Sequence, residues 1–438
     1  MVEVSSEVVV GDLYDCQRVD ETQTRVARIV ESRQHPTIPG ENQFYVHYEG
    51  LTRRFDEWIS IGQVDLNSRR PPPKEPENGQ SKSGLSLPII QNAPQTAEGE
   101  RLTRHRRQIY EEINHVQKRI DEMDPHTAAL EREHEQMTKI KYVEKIELGR
   151  YLIDTWYYSP YPEERGRSPL LFVCEYCLRY SNKEQPYVSH VRSCKMRQPP
   201  GIEIYRDDSA QQNISVFQVD GKLEKLYCQC LCLLGKLFLD HKTLYYDVGM
   251  FLFYILCEVD SFGCHLVGYF SKEKDSPDGN NLACIMILPP YQRKGYGKFL
   301  IQLSYGLAKL EEPPLIGSPE KPLSDLGKLS YRSYWSWVLL REMSRVLGSQ
   351  TPGHSIQVSD LSSTTCIAEA DVVETLKAMG LAKYWKGSHH ICVKEETVLE
   401  MAKLFPNPKL LLKTKLLKWT PQLANLENEL DSKERRAA

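Results

Sequence analysis

One stretch limits what this chain can fold into more than any other: Leu288-Pro-Pro-Tyr-Gln-Arg-Lys-Gly-Tyr-Gly-Lys-Phe299, set between the apolar run Leu282 to Leu288 and the helix-like run Phe299 to Leu310. An aliphatic run ended by Pro289-Pro290 reads as a buried strand, and the Gly295-Tyr-Gly297 turn leads into an amphipathic helix. A strand, a tight loop and a helix N-terminus turn several unpaired backbone N–H groups toward one point, where the helix dipole also favours an anion. A pyrophosphate meets that description, and a plain structural turn uses the same residues. The spacing differs from the nucleotide P-loop, which needs four residues between its first Gly and the Gly-Lys-Ser/Thr; Phe299 also stands where the metal-binding hydroxyl would be, and the three-glycine dinucleotide pattern is lacking.

At 438 residues the chain is long enough for two or three domains. A net charge of -3 argues against coating nucleic acid by bulk electrostatics, so any such contact is expected to be local. Nothing reads as a signal peptide or a long apolar span, and the expectation is a soluble intracellular protein. Of the 12 cysteines, Cys228, Cys230 and Cys232 alternate in a probable core segment, which points to reduced thiols and one metal site, not a disulfide framework.

The metal signal is Cys174-x-x-Cys177, twelve residues, then His190-x-x-x-Cys194. A knuckle supplies two thiolates and a short helix supplies the other pair one turn apart, which is the spacing of a single zinc finger with Cys as the last ligand. Four protein ligands close the sphere, so the zinc is expected to stabilise and not to catalyse.

Several longer blocks carry a resemblance. Gln292-Arg-Lys-Gly-Tyr-Gly297 resembles the loop with which N-acetyltransferases hold the pyrophosphate of coenzyme A. Leu237-Phe-Leu-Asp-His-Lys-Thr-Leu-Tyr245, Val267-Gly-Tyr-Phe-Ser-Lys-Glu-Lys274 and Gly317-Ser-Pro-Glu-Lys-Pro-Leu-Ser-Asp-Leu-Gly327 are similar to blocks of the MYST histone lysine acetyltransferases. Ile113 to Lys118 and Asp124 to Glu131 resemble the males-absent-on-the-first branch, and the likeness covers roughly residues 10 to 395.

The resemblance implies a nuclear enzyme that transfers acetyl from acetyl-CoA to a lysine of histone H4 on the nucleosome, working with scaffold subunits of a chromatin-modifying complex. It also implies a small β chromo-barrel followed by a mixed α/β GNAT-like acetyltransferase domain with an integral zinc finger and a winged-helix-like C-terminal region. The boundaries read as follows: chromo-barrel 10–66, linker 67–108, helical connector 109–140, transferase 141–413 and charged tail 414–438. Within the transferase lie the zinc finger 172–196, the acetyl-CoA core 205–345 and the winged region 353–395. Strands are expected at Ile214 to Val219, Phe251 to Val259, Cys264 to Phe270 and Leu282 to Leu288, with a helix over Leu223 to Leu239.

A free lysine amine, with a pKa of about 10.4, is almost wholly protonated at neutral pH, so its acetylation needs a base. By resemblance Glu320 occupies the position of that base, although a Glu between Pro and Lys is also an ordinary turn residue. Cys284 matches the family's active-site cysteine, which leaves two routes open: acetyl transfer through Cys284, or direct attack by the amine within a ternary complex. Its sequence neighbours are apolar and offer no cation, which favours direct attack; a small buried core residue would look the same.

The same resemblance places Ile285, Met286 and Ile287 along the pantetheine arm. Gln292, Arg293, Lys294, Gly295, Tyr296, Gly297 and Lys298 then cradle the pyrophosphate, with Ser324 and Ser333 toward the cofactor. Lys236 aligns with a lysine the family acetylates on itself, and a helix lysine snorkelling to solvent would look the same. The chain departs from the pattern at Asp247-Val-Gly-Met-Phe251, Ile287, Gly306 and Glu312-Pro-Pro-Leu315, which bears on turnover and substrate preference. Gly306 alone is expected to weaken its helix by roughly 0.5–1 kcal/mol relative to Ala.

Phe44-Tyr-Val-His-Tyr48 and Arg54-Phe-Asp-Glu-Trp58 carry the chromo-barrel likeness. Tyr14, Tyr45, Tyr48, Phe55 and Trp58 are the rings available to hold a methylated ammonium, or to fill a very small core. RNA contact is also implied for such barrels. Pro71 to Glu100 is rich in Pro and Gly and poor in large apolar residues, hence a linker. Arg101 to Arg107 is a basic cluster suited to nuclear import, phosphate contact or a solvated helix start. Ile109, Ile113, Val116 and Ile120 form one apolar helical stripe. The rival function is a catalytically weakened chromatin scaffold or reader.

Overall fold

The computed structural model describes residues 8–72 and 138–421, apart from 20–22, 36–37, 163–167, 210–211, 241, 243, 349–355, 386–387, 392 and 394. The linker at Pro71 to Glu100, the basic cluster and the apolar stripe after it lie outside the described residues, but for the first two residues of that linker, as does the tail from 422 on. The chain divides into two compact units at the 140/141 boundary.

The first unit is a sheet in the order β4-β3-β2-β1-β5, built from β1 (Leu13–Gln17), β2 (Thr24–Gln34), β3 (Asn42–Tyr48), β4 (Glu57–Ser60) and β5 (Val64–Arg70). All pairings are antiparallel. Alternation puts Tyr14 and Cys16 of β1, Ala27 and Ile29 of β2, and Phe44, Val46 and Tyr48 of β3 into one core. Tyr14 and Tyr48, two of the proposed cage rings, are therefore core residues. Tyr45 and Trp58 form a ring pair with centroids 5.2 Å apart, and the Arg33 guanidinium lies 3.9 Å from the Trp58 centroid. Arg18 lies 5.1 Å from the Phe55 centroid, so the protein's own arginines stand over the faces of Trp58 and Phe55.

The second unit is built on an antiparallel sheet in the order β10-β11-β12-β13-β15. Its strands are β10 (Ile202–Asp207), β11 (Ile214–Asp220), β12 (Phe251–Asp260), β13 (Gly263–Glu273) and β15 (Ile285–Ile287). Every residue of β11 is buried, which fits an aliphatic strand covered on both faces. Beside this sheet, β6 (Lys145–Leu148), β7 (Tyr151–Asp154), β8 (Leu170–Val173) and β9 (Tyr180–Ser181) form a smaller one in the order β7-β6-β8-β9. It is followed by α1 (Glu184–Ser193), and its Ile146, Leu148, Leu171 and Val173 belong to the same hydrophobic cluster as Phe217, Leu231 and Leu256 of the second unit.

Helix α2 (Lys225–Lys236) buries Cys228, Cys230 and Cys232, so these cysteines alternate in sequence without lying on a strand. Helix α3 (Tyr296–Leu310) is the hinge of the architecture. Its Phe299, Leu300, Leu303 and Leu307 enter the sheet core. Ile301, Tyr305 and Ala308 enter a second core with α4 (Asp325–Leu347), α5 (Val358–Thr365), α6 (Glu369–Ala378) and α7 (Glu395–Leu404). The amphipathic reading did not show that α3 is buried on two sides, with Lys298, Gln302 and Lys309 along its remaining stripe. The hairpin β17 (Ala382–Trp385) to β18 (Ser388–Ile391) completes the winged region, and Gly380 ends the segment after α6 at φ +72°.

The ordered chain runs past the expected boundary at 413, and residues 409–419 form a packed strap that takes in the start of the tail read as charged. Gln302 Nε2 donates to the Leu410 carbonyl (2.9 Å), Gln302 Oε1 accepts from Leu412 N–H (3.2 Å), and Trp419 Nε1 donates to Gln218 Oε1 (2.7 Å) with Trp419 itself buried. This strap explains Gly306: a Cβ there would come within 2.8 Å of Leu412 Cδ2. The glycine that looked like a helix weakness makes room for the strap.

Candidate active site

The run Leu282 to Leu288 does not form one strand. The Ser271 carbonyl of β13 accepts from Ala283 N–H (2.7 Å) while Ser271 N–H donates to the Cys284 carbonyl (2.8 Å), so two residues face one and the strand breaks there. Before the break, β14 (Asn280–Leu282) leaves the main sheet and pairs in parallel with β16 (Ser318–Pro319). After it, β15 stays paired with β13. The Glu320 N–H donates to the Leu282 carbonyl (2.8 Å), which sets the next residue of that segment beside the strand break at Cys284. The Glu320 segment thus reaches the strand end at Leu282 because the strand splits.

Glu320 is exposed, yet its carboxyl is held above the ordinary glutamate range, first by partial burial and then by Glu273 and Asp278, against the pull of Lys242. Cys284 is half-buried, and its N–H donates to Ser271 Oγ (3.2 Å). The expectation that no cation lies near it is wrong: Lys242 Nζ, buried, is 3.8 Å from Cys284 Sγ. The two residues are separated by 42 positions, so only the tertiary fold reveals the contact. The signal available in the sequence was Lys242 itself, inside the Leu237 to Tyr245 block.

β15 is an edge strand, with Ile285, Met286 and Ile287 paired to β13 on one side alone. Its other edge can take a strand-like arm of amide groups. Gln292 Nε2 closes the following turn on the Ile287 carbonyl (2.9 Å). Arg293 and Gly295 then adopt left-handed conformations, φ +63° and +103°, and Gly295 caps α3 without any side-chain acceptor for the first-turn N–H groups of Tyr296, Gly297 and Lys298. A left-handed residue feeding an uncapped N-terminus is the nest the sequence implied. Arg293 and Lys294 are exposed on this loop, with Lys294 Nζ 5.0 Å from the Tyr291 centroid. Lys298 Nζ donates to Ser333 Oγ (2.8 Å), which joins α3 to α4. Ser324 Oγ accepts from Gly327 N–H (3.1 Å) and caps α4. These donors fit a pyrophosphate and its amide arm.

Lys236 is not a snorkelling lysine. It is buried, its Nζ donates to the carbonyls of Leu239 and Asp240, and burial pushes its pKa down.

The ligand atoms of Cys174, Cys177, His190 and Cys194 all lie within 4.8 Å of one another. Cys177 Sγ is 3.1 Å from His190 Nε2, and Cys174 Sγ is 3.9 Å from Cys194 Sγ. β8 ends at the knuckle and α1 carries His190, with Cys194 as its C-cap. Hydrogen bonding by the Cys177 thiol favours the Cys174 thiolate. Three sulfurs and one imidazole at these separations fit a closed tetrahedral zinc.

Comparisons with known proteins agree with this geometry. Residues 198–417 match the family described as MOZ/SAS, residues 140–194 the MYST family zinc finger domain, and residues 8–66 the RNA binding activity-knot of a chromodomain. The histone acetyltransferase MOF of Drosophila melanogaster is 43% identical over 446 residues, covering 94% of this chain, which spans about half (53%) of that protein. The putative MYST-like histone acetyltransferase 1 of Oryza sativa subsp. japonica is 44% identical over 396 residues, 90% of this chain and 81% of its own. The histone acetyltransferase ESA1 of Eremothecium gossypii is 37% identical over 433 residues, 96% of this chain and 94% of its own. A MOZ/SAS core with its own zinc finger, shared with relatives along nearly the whole chain, means that this protein belongs to the MYST family of histone acetyltransferases.

Proposed function

We propose that this chain acetylates a lysine of the histone H4 tail in the nucleus, as a males-absent-on-the-first-like enzyme, by direct attack of the lysine amine with Glu320 as general base. The observation that carries the mechanism is the parallel β14/β16 pairing, which brings the Glu320 segment to the broken strand at Cys284. Acetyl-CoA supplies an activated acetyl thioester. The edge of β15 and the loop from Gln292 to Lys298 hold its arm and pyrophosphate, with Ser324 and Ser333 on the neighbouring helix. The Glu320 carboxylate accepts the proton that the lysine ammonium must lose, and its raised pKa brings it closer to the working pH of a base.

Lys242 beside Cys284 removes one argument against an acetyl-cysteine route, so the choice rests on experiment. The test is acetyl transfer from acetyl-CoA to H4 by the purified chain and two variants. Glu320→Gln should lower turnover by about 10²- to 10⁴-fold with partial recovery at high pH, and Cys284→Ala should cost far less. An acetyl-Cys284 species that forms and passes to peptide at the turnover rate sinks direct attack. Absence of transfer by folded, zinc-loaded wild type, alone and with scaffold subunits, leaves the scaffold reading. Self-acetylation at Lys236 requires breaking its two carbonyl bonds, whereas Lys242 already lies at Cys284, and peptide mapping of the purified chain distinguishes the two lysines.

A further inference from the structure

The segment that carries Glu320 is held on a second side by the winged region. Gly317 N–H donates to the Cys366 carbonyl (3.1 Å) and Ala368 N–H donates to the Gly317 carbonyl (3.1 Å), so the chain before α6 runs alongside β16 as β14 does on its other side. Just beyond, Lys321 Nζ pairs with Asp371 Oδ1 at 2.8 Å. Asp371 lies in the first turn of α6 and is fully buried, while half of the Lys321 side chain is exposed. Asp371 Oδ2 has no hydrogen-bond partner.

A buried carboxylate with one oxygen left without a partner is expensive, and one kept for helix capping alone would not need to be sealed in the second core and paired with a half-exposed lysine. The lysine it holds is the chain neighbour of Glu320. We propose that Asp371 is a positioning residue for Glu320: it draws the Lys321 ammonium toward α6, keeps that cation off the adjacent carboxylate, and ties the base-bearing segment to the winged region. The proposal rests on the reading of Glu320 as the base. The charged groups facing Glu320 are Glu273 at the end of β13, Asp278 in the loop before β14, and Lys242. Those facing Asp371 are Lys321, with the phenols of Tyr305 on α3 and Tyr331 on α4.

If Asp371 loses its charge, Lys321 is released and Glu320 is the carboxylate next to it. An ammonium that comes within about 4–6 Å of a carboxylate lowers its pKa by about 1–3 units, and exposure keeps the effect near the lower end. The experiment is the pH profile of kcat and kcat/KM for the full chain with acetyl-CoA and an H4 tail peptide, for wild type, Asp371→Asn, the double variant Asp371→Asn with Lys321→Met, and Glu320→Gln. The single variant should move the acid limb down by about one unit and lower the plateau kcat several-fold, with KM for peptide little changed. The double variant should return the limb to its wild-type position, because the freed ammonium is gone. Asp371→Ser serves as a second probe where Asn does not fold, judged by the thermal transition. A limb that stays in place in a folded Asp371 variant, or that shifts equally in the double variant, overturns the proposal while leaving Glu320 as base. Near-normal turnover by Glu320→Gln overturns the base assignment itself, and the proposal with it.

Discussion

Removal of zinc should destabilise the catalytic unit and not merely its finger. Leu171, Val173 and Leu178 around the knuckle share one hydrophobic cluster with Tyr205, Phe217 and Leu231 of the transferase, so loosening the knuckle opens the side of the main core. Structural zinc in isolated finger peptides is worth about 10–16 kcal/mol at neutral pH. Here packing already organises part of the site, including the Phe172 and Tyr187 rings at 5.4 Å, so only a fraction of that figure falls to the metal. Even a third, about 4 kcal/mol, is a large share of an ordinary folding free energy of about 5–15 kcal/mol. At about 2–4 °C per kcal/mol for a domain of 150–250 residues, the transition should fall by on the order of 10 °C. Calorimetry of the full chain with and without a chelator, alongside zinc determination, measures it, and Cys194→Ser should reproduce the chelated trace. The reasoning fails if zinc is lost stoichiometrically while the transferase transition stays within about 2 °C and activity persists.

Three other outcomes follow from particular contacts. Trp419→Phe keeps most of the ring but leaves the buried Gln218 Oε1 without its donor, which should cost about 1–3 kcal/mol in denaturant melts, whereas a disposable tail would show no change. In the barrel, His47 Nδ1 lies 2.8 Å from Asp56, and that hydrogen bond holds the His47 pKa above its ordinary value despite partial burial. A raised folded-state pKa means the pair stabilises fully below the unfolded value of about 6.5 and loses its contribution as pH rises through the folded value, so His47→Gln should flatten the barrel's stability across that window. Gly306→Ala should be nearly neutral in thermal melts, since the gain in helix propensity is offset by displacement of the flexible Leu412 terminus, and Gly306→Leu should destabilise by about 1–3 kcal/mol.

What the sequence made legible was local. The zinc ligands announce themselves because knuckle and helix each fix two of them within a few residues, and the loop after β15 does so because Gly295 must adopt φ +103° where other residues strain. Helix α3 begins at Tyr296, three residues before the expected Phe299, because that left-handed glycine is itself the N-cap. Its two-sided burial was less visible, since an apolar residue facing the second core looks the same as one facing the first. The five barrel aromatics could not be sorted by composition. The pleat decides that Tyr14 and Tyr48 turn inward, and Arg33 of β2 and Arg18 just after β1 arrive over the Trp58 and Phe55 faces.

The reacting groups were the least legible part, for a physical reason. A continuous apolar run from Leu282 to Leu288 is the pattern of an unbroken strand, and nothing within it signals that Ser271 pairs with both Ala283 and Cys284. The break depends on a competing partner, the segment from Ser318 to Glu320, which satisfies the carbonyl of Leu282 once that end of the strand has left the main sheet. The groups that set the charge around Glu320 come from yet other elements: Lys242 from the loop after α2, Glu273 from the end of β13, and Asp278 from the loop before β14. On the proposal that Glu320 is the base, its segment is held from both sides, by β14 and by the chain before α6, so a substitution in the winged region that preserves folding should still alter proton transfer. This makes the pH profile, more than overall activity, the measurement that separates the site's chemistry from its support.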